Sequence, residues 1–221
     1  MIEAEDVSVT RTAYDGVAEL YTGLVREQLL ANPYDRAVLG VFAESVLESE
    51  HADAPAAEVG CGPGRITDHL RRAGLDIFGL DLSPEMIRLA RLEYPGLRFE
   101  VGSMERLELA DAALGSIVAW YSIIHLPPAR VPAVLAEFAR VLRPGGHALF
   151  AFQAADGVTG VQPYDHKVTT SYRWAPDTLA EALAACGFRV TARMQRLARP
   201  DERTPQGYVL AVKDDAANPA H

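Results

Sequence analysis

The stretch Ala57-Glu58-Val59-Gly60-Cys61-Gly62-Pro63-Gly64 places three glycines at alternate positions just after a short apolar run. Glycine lets a backbone turn tightly and leaves room for a ligand to lie directly against the chain. Asp81 follows about 20 residues later at the end of the next apolar run, where a carboxylate accepts hydrogen bonds from ribose hydroxyls. Together they point to a ligand that contains a ribose. A dinucleotide site favours Gly-x-Gly-x-x-Gly, whose third glycine would fall at Arg65, and it seats a pyrophosphate on a helix N-terminus. Here the order is Gly-x-Gly-x-Gly, preceded by Glu58. A carboxylate at a strand end repels a pyrophosphate but suits a ligand with an ammonium group and a sulfonium. S-adenosylmethionine has both charges and no phosphate.

A second cluster able to do chemistry is Trp120-Tyr121-Ser122-Ile123-Ile124-His125-Leu126, which leaves an apolar strand at its carboxyl end, where open α/β sheets place ligands. Imidazole titrates near neutral pH, so His125 is the candidate general base or acceptor-binding group. The competing reading is a helix-start histidine that orders the loop, which Pro127 and Pro128 make rigid. Gln153 ends a later strand, and Tyr164, His166, Tyr172 and Trp174 follow in an irregular stretch expected to cover the pocket. Aromatic walls with few charges suit a flat, apolar or weakly cationic acceptor. Tyr121, Gln153, Tyr164, His166 and Tyr172 are therefore the candidate acceptor-binding residues, with an ordinary small core beneath the insertion as the alternative. Cys61 and Cys186 match no zinc or redox spacing, so no metal is expected and Cys61 reads as a small neutral spacer.

The elements that must position these residues follow from periodicity. From Ala54 onward short apolar runs alternate with helical segments, the signature of a parallel sheet wrapped by helices. Strands are predicted at 56–60, 77–81, 97–101, 116–120 and 148–152, and helices at 65–73, 84–93, 128–142 and 176–185. Ser83 and Pro84 make a good cap and first turn. The runs at 188–194 and 208–212 are too close for a helical crossover and read as an antiparallel pair. Two helices precede the sheet, at 11–30 and 34–48, the first with Tyr14, Val17, Tyr21 and Val25 on one face. Three segments result: a helical cap over the active site at 1–50, a ligand-binding domain at 51–213 with a lid insertion at 154–175, and a frayed tail at 214–221.

Composition sets the outer bounds. The chain has 221 residues, 49% hydrophobic and 23% charged, which fits one α/β domain with an appendage and excludes a disordered or fibrous chain. A net charge of −9 argues against a nucleic-acid partner, because phosphate binding draws on clustered Lys and Arg. The nearest such run, Arg193, Arg196, Arg199 and Arg203, is interrupted by Asp201 and Glu202 and reads as a solvated turn. The acidic start and the prolines in the longest uncharged stretch argue against a targeting segment or a membrane span, so a cytoplasmic monomer or homodimer is the expectation.

The segments Glu58 to Gly64, Gly79 to Met86, Gly102-Ser103-Met104 and Val141 to Gly146 resemble the successive motifs of class I S-adenosylmethionine-dependent methyltransferases. The likeness is to the small-molecule branch that includes ubiquinone and menaquinone biosynthesis enzymes and natural-product methyltransferases, and it covers about 54–152. It implies a Rossmann-like, seven-stranded, mainly parallel sheet with an antiparallel C-terminal strand pair and helices on both faces. It further implies that Gly60 and Gly62 approach the methionine part of the cofactor, that Asp81 binds the ribose, and that Leu82, Ser103 and Met104 border the adenine. Tyr14 and Tyr21 would lie over the methionine part, with Tyr21 also a catalytic candidate. Glu58, Cys61, Gly64, Met86, Gly102 and Trp120 complete the expected cofactor set. The implied reaction is methylation, at oxygen, nitrogen or carbon, of a small aromatic or heteroaromatic metabolite in secondary metabolism, with His125 as base. The alternatives are an NAD-dependent oxidoreductase, a non-catalytic S-adenosylmethionine-binding module, and a methyltransferase for protein or nucleic acid.

Overall fold

The computed structural model describes residues 5–26, 32–157, 159–166 and 168–215. Two helices open the chain, α1 (Glu5–Val25) and α2 (Pro33–Leu47). The first begins six residues before its sequence signal and stops at Val25; residues 27–30 of the predicted helix lie outside the described residues, as do 216–221 of the predicted tail. Asn32 caps α2, its side-chain oxygen accepting from the backbone N–H of Tyr34 and Asp35.

A seven-stranded sheet follows, built from β1 (Ala56–Val59), β2 (Ile77–Asp81), β3 (Phe99–Val101), β4 (Leu114–Trp120), β5 (Leu142–Gln153), β8 (Phe188–Arg196) and β9 (Gln206–Lys213). Its order is β3-β2-β1-β4-β5-β9-β8. The first five strands are parallel, while β9 runs antiparallel to both β5 and β8. Strand order reverses between β1 and β4, so a crevice opens at their carboxyl ends, the place where open α/β sheets bind ligands. The connecting helices are α3 (Arg65–Arg72), α4 (Pro84–Glu93), α5 (Val131–Val141) and α6 (Pro176–Ala185).

The sheet is covered on both faces because alternate strand residues point opposite ways. On one face Val59, Ile117, Ala119, Phe150 and Phe152 meet Leu135 and Phe138 of α5 and Leu179 and Leu183 of α6. On the other, Ile77, Val118, Leu149, Ala151 and Tyr208 meet Leu39, Phe42 and Val46 of α2 and Ile66 and Leu70 of α3. The first helix is attached differently. It lies along α4, where the Asp15 carboxylate accepts from the Ser83 hydroxyl at 2.5 Å and from the Glu85 N–H at 3.2 Å.

The insertion predicted as irregular is instead a hairpin. Strands β6 (Val161–Asp165) and β7 (Thr170–Trp174) pair antiparallel with Pro163 opposite Tyr172. A proline inside an apolar run argues against a strand, but a two-stranded sheet has only edges and tolerates a missing donor.

Phe42 fixes α2 on the sheet and is 1% exposed, whereas Val41 beside it is 54% exposed. Phe42→Ala is expected to lower unfolding stability by about 3–5 kcal/mol, and Val41→Ala to stay within about 0.5 kcal/mol, both measured by denaturant titration.

Candidate active site

The turn after β1 is shaped by what packs on it. Gly60 has φ +79, and a β-carbon there would stand 2.2 Å from that of Ser122. The Ser122 hydroxyl donates to the Val59 carbonyl at 2.6 Å, so the ends of β1 and β4 are tied together. Gly62 (φ +52) is open by contrast; the nearest atom to a β-carbon there is on the Tyr21 ring at 3.9 Å. Asp81 holds this turn from the side: one carboxylate oxygen accepts from the Gly62 N–H at 2.7 Å and the other from the Ser83 N–H at 2.8 Å. Burial raises the proton affinity of Asp81, and these backbone donors oppose the rise.

A cleft opens over this turn. Its walls are Val59, Gly60 and Gly62 from the turn, Asp81, Leu82, Ser83 and Met86 after β2, and Gly102, Ser103 and Met104 after β3. Trp120, Tyr121, Ser122 and His125 close it from the end of β4, and Val7, Thr10, Arg11, Tyr14 and Tyr21 of α1 form the roof. Most residues expected to meet the cofactor thus face one cleft. Three do not line it. Glu58 lies behind the turn, 1% exposed, with Thr67 donating to it at 2.5 Å. Burial pushes the Glu58 carboxyl up to about 8, an effect that the Thr67 bond and Arg65 oppose. Cys61 packs with Ile87, Ala90 and Phe99, and burial raises its thiol well above the usual range, as suits a spacer. Gly64 (φ +84) is the left-handed N-cap of α3, where a β-carbon would strike the Phe99 ring.

A second cavity adjoins the cleft and shares Tyr14, Tyr21, Trp120 and Tyr121 with it. Leu20, Leu24 and Val25 of α1 give it an apolar wall; Asp35, Arg65, Gln153, His166, Arg196 and Glu202 give it a polar one. Tyr121 stands at the junction. It has φ +54, a costly conformation for a residue with a side chain, of the kind that concentrates at functional sites. Of the expected acceptor-binding residues, Tyr121, Gln153 and His166 line this cavity. Tyr164 and Tyr172 do not: the Tyr164 ring faces Arg203 and Arg173, and Tyr172 packs on the main core.

His125, expected as general base or acceptor-binding group, is held on both sides of its ring. Its Nε2 is 2.7 Å from the Tyr14 hydroxyl, and Nδ1 faces the Thr170 carbonyl at 3.5 Å. With a carbonyl opposite Nδ1, that nitrogen carries the proton, and Tyr14 donates to Nε2. Burial, reinforced by His166, pushes the imidazole down to about 3. His125 is thus neutral near pH 7 and already engaged, one ring in a row that runs Tyr21, Tyr14, His125, His166 with centroids 5.2–5.7 Å apart.

Arg196 and Glu202, read from the sequence as part of a solvated turn, are instead paired with each other on the cavity wall, with Arg196 buried, and Asp35 and Arg65 were missed. Arg65 was findable as the residue that enters the helix after Gly64. Asp35 was not, because its partner Tyr208 is 173 residues away. Among the described residues no group of three or more His, Cys, Asp or Glu side chains could hold a metal ion, and no helix is long and apolar enough to cross a membrane.

Residues 56–146 match the methyltransferase domain family. The chain is 28% identical over 177 residues to malonyl-(acyl-carrier protein) O-methyltransferase of Pseudescherichia vulneris, covering 73% of this chain and 70% of that one. It is 30% identical over 150 residues to demethylmenaquinone methyltransferase of Chlorobaculum parvum, covering 67% and 61%. Its fold matches that of 1,6-didemethyltoxoflavin-N1-methyltransferase from Burkholderia thailandensis, solved with 1,6-didemethyltoxoflavin and S-adenosylhomocysteine bound. That match has a TM-score of 0.72 at 21% identity and covers 97% of this chain and 92% of that one.

The cleft fits a phosphate-free nucleoside: it offers the Asp81 carboxylate and the open Gly62, and among the described residues Arg11 is the one cation that lines it. Asp81→Ala is expected to weaken S-adenosylhomocysteine binding by at least about tenfold in calorimetry, as for a charged hydrogen-bond partner. Glu58 yields a pH prediction. A carboxyl whose folded value is raised holds its proton longer in the folded state, so stability falls as pH rises from the ordinary 4.5 to about 8. Glu58→Gln should flatten that fall in Tm across the same range.

Proposed function

We propose that the chain works as a class I S-adenosylmethionine-dependent methyltransferase and that it methylates a small planar acceptor, aromatic or heteroaromatic, held in the second cavity. One observation carries the reading: the cleft and the cavity meet at Tyr14, Tyr21, Trp120 and Tyr121, so a group leaving one enters the other between aromatic rings. Ring walls hold a flat molecule by stacking and reward a partial positive charge on it. The Burkholderia protein, of the same fold, was solved with both 1,6-didemethyltoxoflavin and S-adenosylhomocysteine bound, which supports a small acceptor here.

Bound in the cleft, S-adenosylmethionine supplies a methyl group on a positively charged sulfur. Asp81 and the turn at Gly60 and Gly62 fix the nucleoside, and Glu58 sets the electrostatics behind that turn. Tyr14 and Tyr21, carried by α1, cover the cleft and exclude water, which otherwise competes for the methyl group. Tyr121, Gln153 and His166 orient the acceptor so that its attacking atom comes in line at about 3–3.5 Å, the separation at which alignment does most of the work. His125 acts by holding Tyr14 in place, with no change of charge.

The test is methyl transfer from labelled S-adenosylmethionine to a panel of aromatic and heteroaromatic alcohols, amines and carbon nucleophiles, read by mass gain of one methyl group. At least one class is expected to be labelled; label appearing only in a malonyl-(acyl-carrier protein) or another macromolecule contradicts the proposal. On any labelled compound, His125→Ala should lower the rate by only about three- to tenfold, the worth of one hydrogen bond, and leave the pH profile between pH 5 and pH 8 unchanged in shape.

A further inference from the structure

We propose that Asp35 takes up the proton released as the acceptor is methylated, so that the acceptor attacks through an O–H or N–H group. The inference rests on the second cavity being the acceptor site. The charges lining that cavity are Asp35, Arg65, Arg196, Arg199, Asp201 and Glu202. Glu202 accepts from both terminal nitrogens of Arg196, at 2.5 and 2.6 Å, and Asp201 pairs with Arg199 at 3.3 Å. Asp35 is 8% exposed and forms no ion pair among the described residues. Its carboxylate has one side-chain partner, the Tyr208 hydroxyl, which donates to Oδ1 at 2.5 Å.

The direction of that bond is fixed. Arg196 donates through Nε to the Tyr208 oxygen at 3.1 Å, so the tyrosine proton points at Asp35. Oδ1 is thereby anchored, while no donor among the described residues engages Oδ2, which is left for the acceptor. A base held by a third group in a defined orientation is the arrangement that general-base chemistry uses. The mount is rigid: Asp35 lies in the capped first turn of α2, and Tyr208 is fully buried on β9. His125 cannot serve in this way, because both ring nitrogens are engaged and it borders the cleft rather than the cavity.

The step balances without a further reactant. The acceptor oxygen or nitrogen forms its bond to the methyl carbon, the carbon–sulfur bond breaks with its pair to sulfur, and the acceptor proton passes to Oδ2 of Asp35 and then to solvent. Burial lifts the proton affinity of Asp35 above the ordinary carboxylate range. The Tyr208 bond, Arg196 and Arg65 oppose that rise, and Glu202 adds to it. Those groups face Asp35 from β9, β8, α3 and the β8–β9 loop, with Tyr121 approaching from β4. The base works deprotonated, so the rate must rise as pH increases through the Asp35 ionisation.

The test uses the full chain, labelled S-adenosylmethionine and a series of phenols of graded acidity. Asp35→Asn keeps an oxygen for Tyr208 and removes the basicity. It is expected to slow transfer to weakly acidic phenols by about 100-fold or more, in the range of general-base effects, while strongly acidic phenols, already ionised, lose less than about tenfold. The acidic limb of the wild-type pH profile should vanish, with S-adenosylhomocysteine affinity and Tm retained. Tyr208→Phe, which removes the bond that lowers the carboxyl, should move that limb to higher pH and provides the readout if Asp35→Asn folds poorly. Equal slowing of every phenol, an unmoved limb in Tyr208→Phe, or a wild type that labels only ring carbons overturns the inference. A wild type that binds S-adenosylhomocysteine yet labels no small compound instead removes the acceptor-site reading beneath it.

Discussion

A β-carbon on Gly60 would stand 2.2 Å from that of Ser122, closer than two such carbons can approach. Because Gly60 has no β-carbon, the chain can bring the carboxyl ends of β1 and β4 together, with the Ser122 hydroxyl donating to the Val59 carbonyl at 2.6 Å. The crevice at the reversal of strand order is then narrow at its base and open above. The left-handed turn at Gly60 and Gly62 forms its floor, and the unusual backbone of Tyr121 carries the chain away at its far wall. The separation into a cleft on one side of Tyr121 and a cavity on the other follows from that approach.

Electrostatics divides the two compartments as well. The cleft has Asp81 on its wall and Glu58 buried just behind, both shifted toward the neutral form by burial and so costly to ionise without a cation nearby. A cationic, phosphate-free ligand relieves that cost, whereas a diphosphate adds to it. In the cavity the charges are largely matched already, Glu202 with Arg196 and Asp201 with Arg199. Arg196 and Arg199 are thus engaged by carboxylates other than Asp35, whereas a buried terminal nitrogen of Arg65 has no hydrogen-bond partner among the described residues.

Much of this was legible in the sequence, for identifiable reasons. The strands of the parallel sheet announce themselves as apolar runs because both faces are covered, and Ser83 with Pro84 marks the start of α4 at the residue where it begins. The cleft was readable from Gly60, Gly62 and Asp81 because they are joined by one strand–helix–strand unit. What failed was non-local or disguised. Pro163 concealed β6, since a proline in a short run argues for a loop. The partner of His125 was hidden too, because nothing local to it reveals Tyr14, which bonds it from 111 residues away. Asp35 carried no signal beyond a helix first turn, and only the return of β9 alongside β5 brings Tyr208 to it.

In the proposed function the turn at Gly60 and Gly62 holds a phosphate-free nucleoside whose sulfur points toward Tyr121. A crystal structure of the protein grown with S-adenosylhomocysteine tests it most directly. Both ribose hydroxyls are expected within hydrogen-bond distance of the Asp81 carboxylate, with the sulfur directed at the opening between cleft and cavity. The ligand bound in the reverse sense, or elsewhere on the molecule, would contradict it.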